Sequence, residues 1–139
     1  MIDTTSTLLI KRISEDLEKR ANNVLRAFDL TISQMGALQE LRRQPEGTMP
    51  LKSLERELHV AQSTAAGIVC RLEHKDFVES FGQADDKRIK VVRITDRGRQ
   101  YCNDADADLI SIEEDLLATL SDEERDTLLK LLAKLLPQG

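Results

Sequence analysis

From Ile10 onward, apolar residues recur at Ile13, Leu17, Ala21, Val24 and Phe28, and these spacings of three and four predict an amphipathic helix with a narrow stripe. In the next stretch, LTISQMGALQEL, Thr31 stands three residues before Gln34, the signature of a capping box, and Met35, Leu38 and Leu41 follow at helical spacing. A second helix is therefore expected from Ile32. The segment RRQPEGTMP carries Pro45, Gly47 and Pro50, which break the chain, and a short helix restarts with Leu51, Leu54 and Leu58 inward. After a tight turn in LHVAQS, Ser63 to His74 reads as a further helix. At about 100° per residue, Ala65, Ile68, Val69 and Leu72 fall on one side of it. Ser63, Gly67, Cys70 and His74 lie opposite, flanked by Thr64 and Arg71.

Beyond Asp76 the period changes. FVESF and IKVVRI are β-branched and aromatic runs separated by GQADDKR, which predicts a β-hairpin with a long charged tip. On its second strand Lys90, Val92 and Ile94 share one face, while Ile89, Val91 and Arg93 share the other. Thr95, in TDRG, opens a long helix carrying Ala105, Leu109, Ile112, Leu116 and Leu120. Ser121 and Glu124 form another capping box before a last helix with Leu128, Leu129, Leu131, Leu132, Leu135 and Leu136. The expected fold class is mainly α with a small β-hairpin wing. Two short helices joined by a tight turn and followed by a ribbon describe a winged helix-turn-helix, whose second helix enters the major groove of double-stranded DNA.

Charge sharpens that picture once it is divided along the chain. The net charge is −5, yet residues 48–99 hold ten Lys and Arg against eight Asp and Glu, leaving +2 there and −7 on the flanks. A basic middle between acidic ends is the asymmetry expected if the middle meets a polyanion. Four cations, Lys87, Arg88, Lys90 and Arg93, crowd the wing. Lys and Arg contacts to phosphate supply much of the affinity for DNA, and a ribbon tip can reach the minor groove, so Lys87, Arg88 and Lys90 are the candidate wing contacts. The bland alternative is a solvated hairpin whose lysines keep an edge strand from pairing. On the preceding helix, Gln62, Ser63, Thr64 and Arg71 supply hydrogen-bonding groups, while Gly67 and its small neighbours permit close approach but read few bases. Part of the specificity is then expected from DNA shape.

Composition removes several classes. Trp is absent and only Phe28, Phe77, Phe81 and Tyr101 are aromatic, which leaves no base-stacking platform. No apolar run approaches the roughly 20 residues of a membrane span, and the N-terminal stretch has acid before its apolar run and no cleavage-site pattern. A cytoplasmic location without membrane contact is expected. Cys70 and Cys102 fit free thiols in a reducing compartment.

These residues resemble the MarR-type winged-helix regulators. LTISQMGALQEL is similar to the opening motif L-T-x-x-Q-x-x-x-L-x-x-L, and LKSLERELHVAQSTAAGIVCRLEHKDFV to the family's helix-turn-helix with its closing R-L-E. DDKRIKVVRITDRG resembles the wing, D-x-R at the tip followed by a strand and L-T-x-x-G, with Asp86 and Arg88 at the D-x-R positions. The resemblance implies that Asp86 orients the wing and Arg88 reaches the minor groove. It further implies one domain over residues 1–139, with residues 30–98 reading DNA and residues 8–28 and 99–136 forming interlocking dimerisation helices. Ile10, Ile13, Leu17, Leu128, Leu132 and Leu135 would line that interface. Family members are homodimers on near-palindromic operators, mostly repressors, and commonly bind small aromatic or phenolic effectors. Three positions depart from the pattern: Ala61 replaces a hydroxyl cap, Asp76 replaces Gly after the reading helix, and Gly67 sits inside it.

Rival chemistries stay on the table. His59 and His74 are the only histidines, and no catalytic arrangement stands out, so an enzyme is not expected. Cys70 and His74 share a helical face but are too few for a structural metal site, and neither metal nor cofactor is expected. Oxidation of Cys70 on the DNA face would make a redox-responsive regulator. A winged helix can also serve as a protein-interaction module without DNA contact.

Overall fold

The computed structural model describes residues 5–137. In chain order it forms α1 (Ser6–Arg26), α2 (Ile32–Arg43), a 3₁₀ turn at Pro45–Gly47, β1 (Thr48–Pro50), α3 (Leu51–Leu58) and α4 (Gln62–His74). The wing strands β2 (Val78–Gly82) and β3 (Lys90–Ile94) follow, then α5 (Asp96–Leu117) and α6 (Asp122–Leu135). Part of the N-terminal stretch read for export, residues 1–4, lies outside the described residues.

Among the described residues, four of the six α-helices, α1, α2, α5 and α6, start at a side-chain cap. Thr31 Oγ1 accepts from the Gln34 N–H at 3.2 Å and Gln34 Oε1 accepts from the Thr31 N–H at 3.4 Å, and Ser121 with Glu124 repeats this at 3.1 and 2.9 Å. Each such cap contributes about 1 kcal/mol. Thr95 caps α5 through the Gly98 N–H at 3.0 Å. Thr5 caps α1 through Leu8 at 3.1 Å, so α1 begins ahead of the stripe that starts at Ile10. Along that helix only Leu25 is fully buried, a residue off the stripe, while Ile10 and Ile13 are exposed and Phe28 lies beyond the helix end. Leu120 likewise belongs to the turn after α5 and not to the helix itself.

The principal core closes between α2, α3, α4 and the sheet. Leu38, Leu41, Leu54, Val69, Leu72, Phe77 and Val92 are buried there, joined by Cys102 and Ala105 of α5. The sheet has three strands in the order β1-β3-β2, all antiparallel, with Thr48 opposite Arg93 and Pro50 opposite Val91. The hairpin expected from the sequence is thus two-thirds of the sheet. The third strand ends in Pro50 at the sheet's edge, a position where a missing N–H is tolerated. With β3 central, Val91 and Val92 are both buried, so the strand departs from strict alternation.

Reversals in the chain use left-handed residues. His59 (φ 54°) ends α3 and Asp76 (φ 62°) ends α4, where the Phe77 N–H reaches back to the Leu72 carbonyl at 2.9 Å. Asp is among the few non-glycine residues that visit this region. Lys75 then fastens the end of α4 to the α1–α2 turn, donating to the Asp29 carbonyl and to Gln34 Oε1. Past the wing, Gly98 lets the first turn of α5 lie against the Phe77 carbonyl, where a Cβ would collide. Arg97 covers the same corner, 5.5 Å from the Phe77 ring and 5.0 Å from that of Tyr101. Arg42 of α2 donates to Asp106 at 2.5 Å and to Asn103 at 2.9 Å, tying α2 to α5. The Asp106 hydrogen bond holds the Arg42 guanidinium above its ordinary value, and burial pushes the nearby Cys102 thiol up.

Candidate nucleic-acid interface

The helix α4 turns Ala65, Ile68, Val69 and Leu72 into the core, as their spacing predicts. Gln62, Ser63, Thr64, Cys70, Arg71 and His74 are exposed, and Gly67 is half-buried between them. Its N-cap, Ala61, makes no side-chain hydrogen bond, and neither Gln62 nor Ser63 replaces it. The first-turn N–H groups of α4 therefore lack a protein side-chain cap, and open amides at a helix start favour an anion.

Two carboxylates hold the wing tip, Asp85, which accepts from Gln83 Nε2 at 2.7 Å, and Asp86. Asp86 accepts from the Arg88 backbone N–H at 3.1 Å and from its Nε and Nη2 at 3.1 and 3.2 Å. Those side-chain and backbone hydrogen bonds hold the Asp86 carboxyl below the usual carboxylate range. Asp86 thus pairs with two nitrogens of the guanidinium, and the Arg88 side chain is still 91% exposed. Lys87 makes no ion pair among the described residues. The other two wing cations are partly spent: Lys90 stands 3.8 Å from Glu73, and Arg93 pairs with Glu79 across the hairpin while lying 5.0 Å from the Phe81 ring. Their acidic partners are distant in sequence, which is why the run of four cations overstated the free charge.

One cleft of about 550 Å³ brings Gln62 of α4 together with Arg88 and Lys90 of the wing, and Pro50, Leu51, Ile89 and the carboxylate of Glu55 line it too. Lys52 of α3 joins the same wall, a cation that reading the wing alone passes over. A second cleft, of about 530 Å³, lies between the start of α2 and α4, and Ser33 lines it beside Ser63, Thr64 and Arg71. Gln62, Arg88 and Lys90 thus share the first cleft and Ser63, Thr64, Gly67 and Arg71 the second, while Lys87 lines neither.

The candidate interface residues at the chain's ends behave differently. Ile10, Ile13, Leu132 and Leu135 are exposed, and Leu17 and Leu128 are half-buried. Together with Leu9, Leu116 and Leu120 most of them line an apolar groove of about 570 Å³ between α1, the end of α5 and α6. No described residue of α6 is buried. Cys70 is exposed and Cys102 buried, and among the described residues no three His, Cys, Asp or Glu side chains gather as a metal site. Among them, too, no helix is long and apolar enough to cross a membrane.

The profile of the MarR family matches residues 30–90. An uncharacterized HTH-type transcriptional regulator of Bacillus subtilis, YwoH, is 31% identical over 94% of this chain and 95% of its own length. Among solved structures, a mutant of MarR from E. coli complexed with operator DNA superposes with a TM-score of 0.83 at 26% identity, covering 93% of this chain and 91% of that one. The S. aureus MepR–DNA complex shares the fold at TM-score 0.87 and 23% identity, over 95% of this chain and 96% of that one.

Proposed function

The chain belongs to the MarR family of winged helix-turn-helix transcriptional regulators, and from that premise we propose that it is a homodimeric repressor of a near-palindromic operator. Residues 30–98 form the reading unit. In this reading α4 enters the major groove, with Gln62, Ser63, Thr64 and Arg71 as its contacts and Gly67 allowing close approach. The wing reaches the neighbouring minor groove through Arg88, oriented by Asp86, with Lys87 on phosphate and Lys90 in a lesser role because Glu73 shares its charge. The observation that supports this most directly is the wing tip itself: an Arg88 side chain oriented by its pairing with Asp86 yet 91% exposed, in one cleft with Gln62. The related E. coli protein bound to operator DNA supports the same docking.

Residues 8–28 and 99–136 are the proposed dimerisation helices, since Ile10, Ile13, Leu17, Leu128, Leu132 and Leu135 form an apolar face that a second copy would cover. Burying it would contribute about 25 cal/mol per Å². A small aromatic or phenolic acid is the proposed effector, bound between the dimerisation helices and the reading half, and the site of action is the cytoplasm.

Enrichment of random duplex DNA on the purified protein at two salt concentrations tests this. The expected result is a palindrome with half-sites about one helical turn apart. The Lys87→Ala/Arg88→Ala variant should bind more weakly on every sequence and with a flatter salt dependence. No enrichment, with partner binding that survives the double variant, would instead favour a protein-interaction module. A redox-responsive regulator is the second reading, favoured by the exposure of Cys70 against the burial of Cys102. DNA binding indifferent to mild peroxide, or equally sensitive in Cys70→Ser, would remove it.

A further inference from the structure

The cleft between α2 and α4 is walled by Ser33, Gln34, Ser63, Thr64, Gly67 and Arg71, and no carboxylate lines it, in a chain with 25 acidic residues. Arg71 makes no ion pair among the described residues. Gln34 commits its Oε1 to the Thr31 N–H and to Lys75 Nζ, which leaves the amide's N–H groups as its uncommitted half. The cleft is therefore rich in donors and hydroxyls and poor in negative charge, the chemistry that suits an anion.

Side chains on a helix lean toward its N-terminus, so the side chain of residue 71 passes over position 67. Position 67 is glycine, and a Cβ built there would stand 3.2 Å from Arg71 Nη1. That is tighter than most carbon contacts, and a methyl group there would require the guanidinium to shift by a few tenths of an ångström. Glycine is otherwise a poor residue for the middle of a helix. Its presence is accounted for if the side chain it lacks is the one that would displace Arg71.

We infer, on the reading of the chain as a DNA-binding regulator, that Gly67 is a positioning residue for Arg71: it lets the guanidinium fold back along α4 over this cleft, where Arg71 holds one DNA backbone phosphate and not a base edge. A guanidinium laid along its own helix is poorly placed to extend to the bases. Its planar fork of donors matches a phosphate, and Ser33, Ser63 and Thr64 can hydrogen-bond the same group.

The test measures binding of a short duplex carrying the enriched sequence and of a scrambled duplex of equal length. Arg71→Ala should weaken both by the same factor and lower the slope of log affinity against log salt by about one. Gly67→Ala should raise Tm, because alanine is the better helix former, yet weaken binding by about two- to fivefold, and that loss should vanish when residue 71 is already alanine. An equal loss in both backgrounds would mean that the methyl group meets DNA directly, and a loss confined to the enriched duplex would mean base reading; either overturns the inference. So would an unchanged slope in Arg71→Ala together with inorganic phosphate, at constant ionic strength, raising the Tm of the wild type only, since the cleft would then take a free anion. If the Lys87→Ala/Arg88→Ala variant loses affinity while Arg71→Ala and Gly67→Ala do not, this inference fails alone. A wild-type chain that binds neither duplex removes the regulator reading beneath it.

Discussion

The middle of this chain and its two ends spend their leucines differently. In the middle, Leu38, Leu41, Leu54 and Leu72 are sealed inside a core shared by three helices and a sheet, and no partner is needed to bury them. At the ends, Ile10, Ile13, Leu132 and Leu135 follow the same helical spacing yet stay exposed, and α6 has no buried residue among those described. Periodicity alone does not distinguish the two, because an amphipathic stripe reads alike whether its cover is intramolecular or not. The difference lies in what the rest of the chain can wrap around each stripe.

Breaking the comparison on its strong side should give the largest effect. Leu54→Ala, at a position with no exposed surface, is expected to cost about 2–5 kcal/mol, read as a lower urea midpoint at constant slope. On the other side, Ile13→Lys combined with Leu132→Lys should leave the far-UV circular dichroism of the reading half intact while sedimentation shifts to a monomer. Operator affinity should then fall at least about tenfold, because one half-site no longer assists the other. Unchanged sedimentation would mean that the apolar face is not the dimer interface.

The cysteines sharpen the same contrast at smaller scale. Cys70 should react with a thiol reagent in the folded protein, whereas Cys102, sealed between α2 and α5, should react only on unfolding. Burial raises the Cys102 thiol above its ordinary value, so the unfolded chain loses that proton first as pH rises. Its contribution to stability is complete below the unfolded value and is lost as pH climbs through the folded one. Cys102→Ala should remove that alkaline slope from the urea midpoint, and Cys70→Ala should not. The smallest expected change is a gain: Asp76→Gly relieves a left-handed residue and should add up to about 1 kcal/mol, measured as a higher Tm.

The helix order was legible in the sequence because the capping boxes at Thr31 and Ser121 and the Thr95 start mark boundaries locally. So was the buried face of α4. Strand β1 was not, since the three residues that follow Gly47 and end in Pro50 carry no period and read as a break. The wing's free charge was overstated for a related reason: Glu73 and Glu79 reach Lys90 and Arg93 only through the fold. The left-handed turn at Asp76 was visible as a departure from the family pattern, and the structure accommodates it without glycine. Gly67 was legible as a residue but not as a geometry, because helical periodicity places Arg71 one turn on but does not give the path of its side chain.

The three-residue strand has a consequence for anyone moving parts between such regulators. Because Thr48–Pro50 is zipped to β3, the wing is not a detachable module that begins at Val78. A graft that carried only the hairpin would leave Val91 and Val92 without the neighbour that flanks them on one side, and the arm would arrive on its new host misaligned. Exchanging specificity by swapping wings requires a discontinuous transplant, the arm together with the short edge strand made some thirty residues before the arm begins.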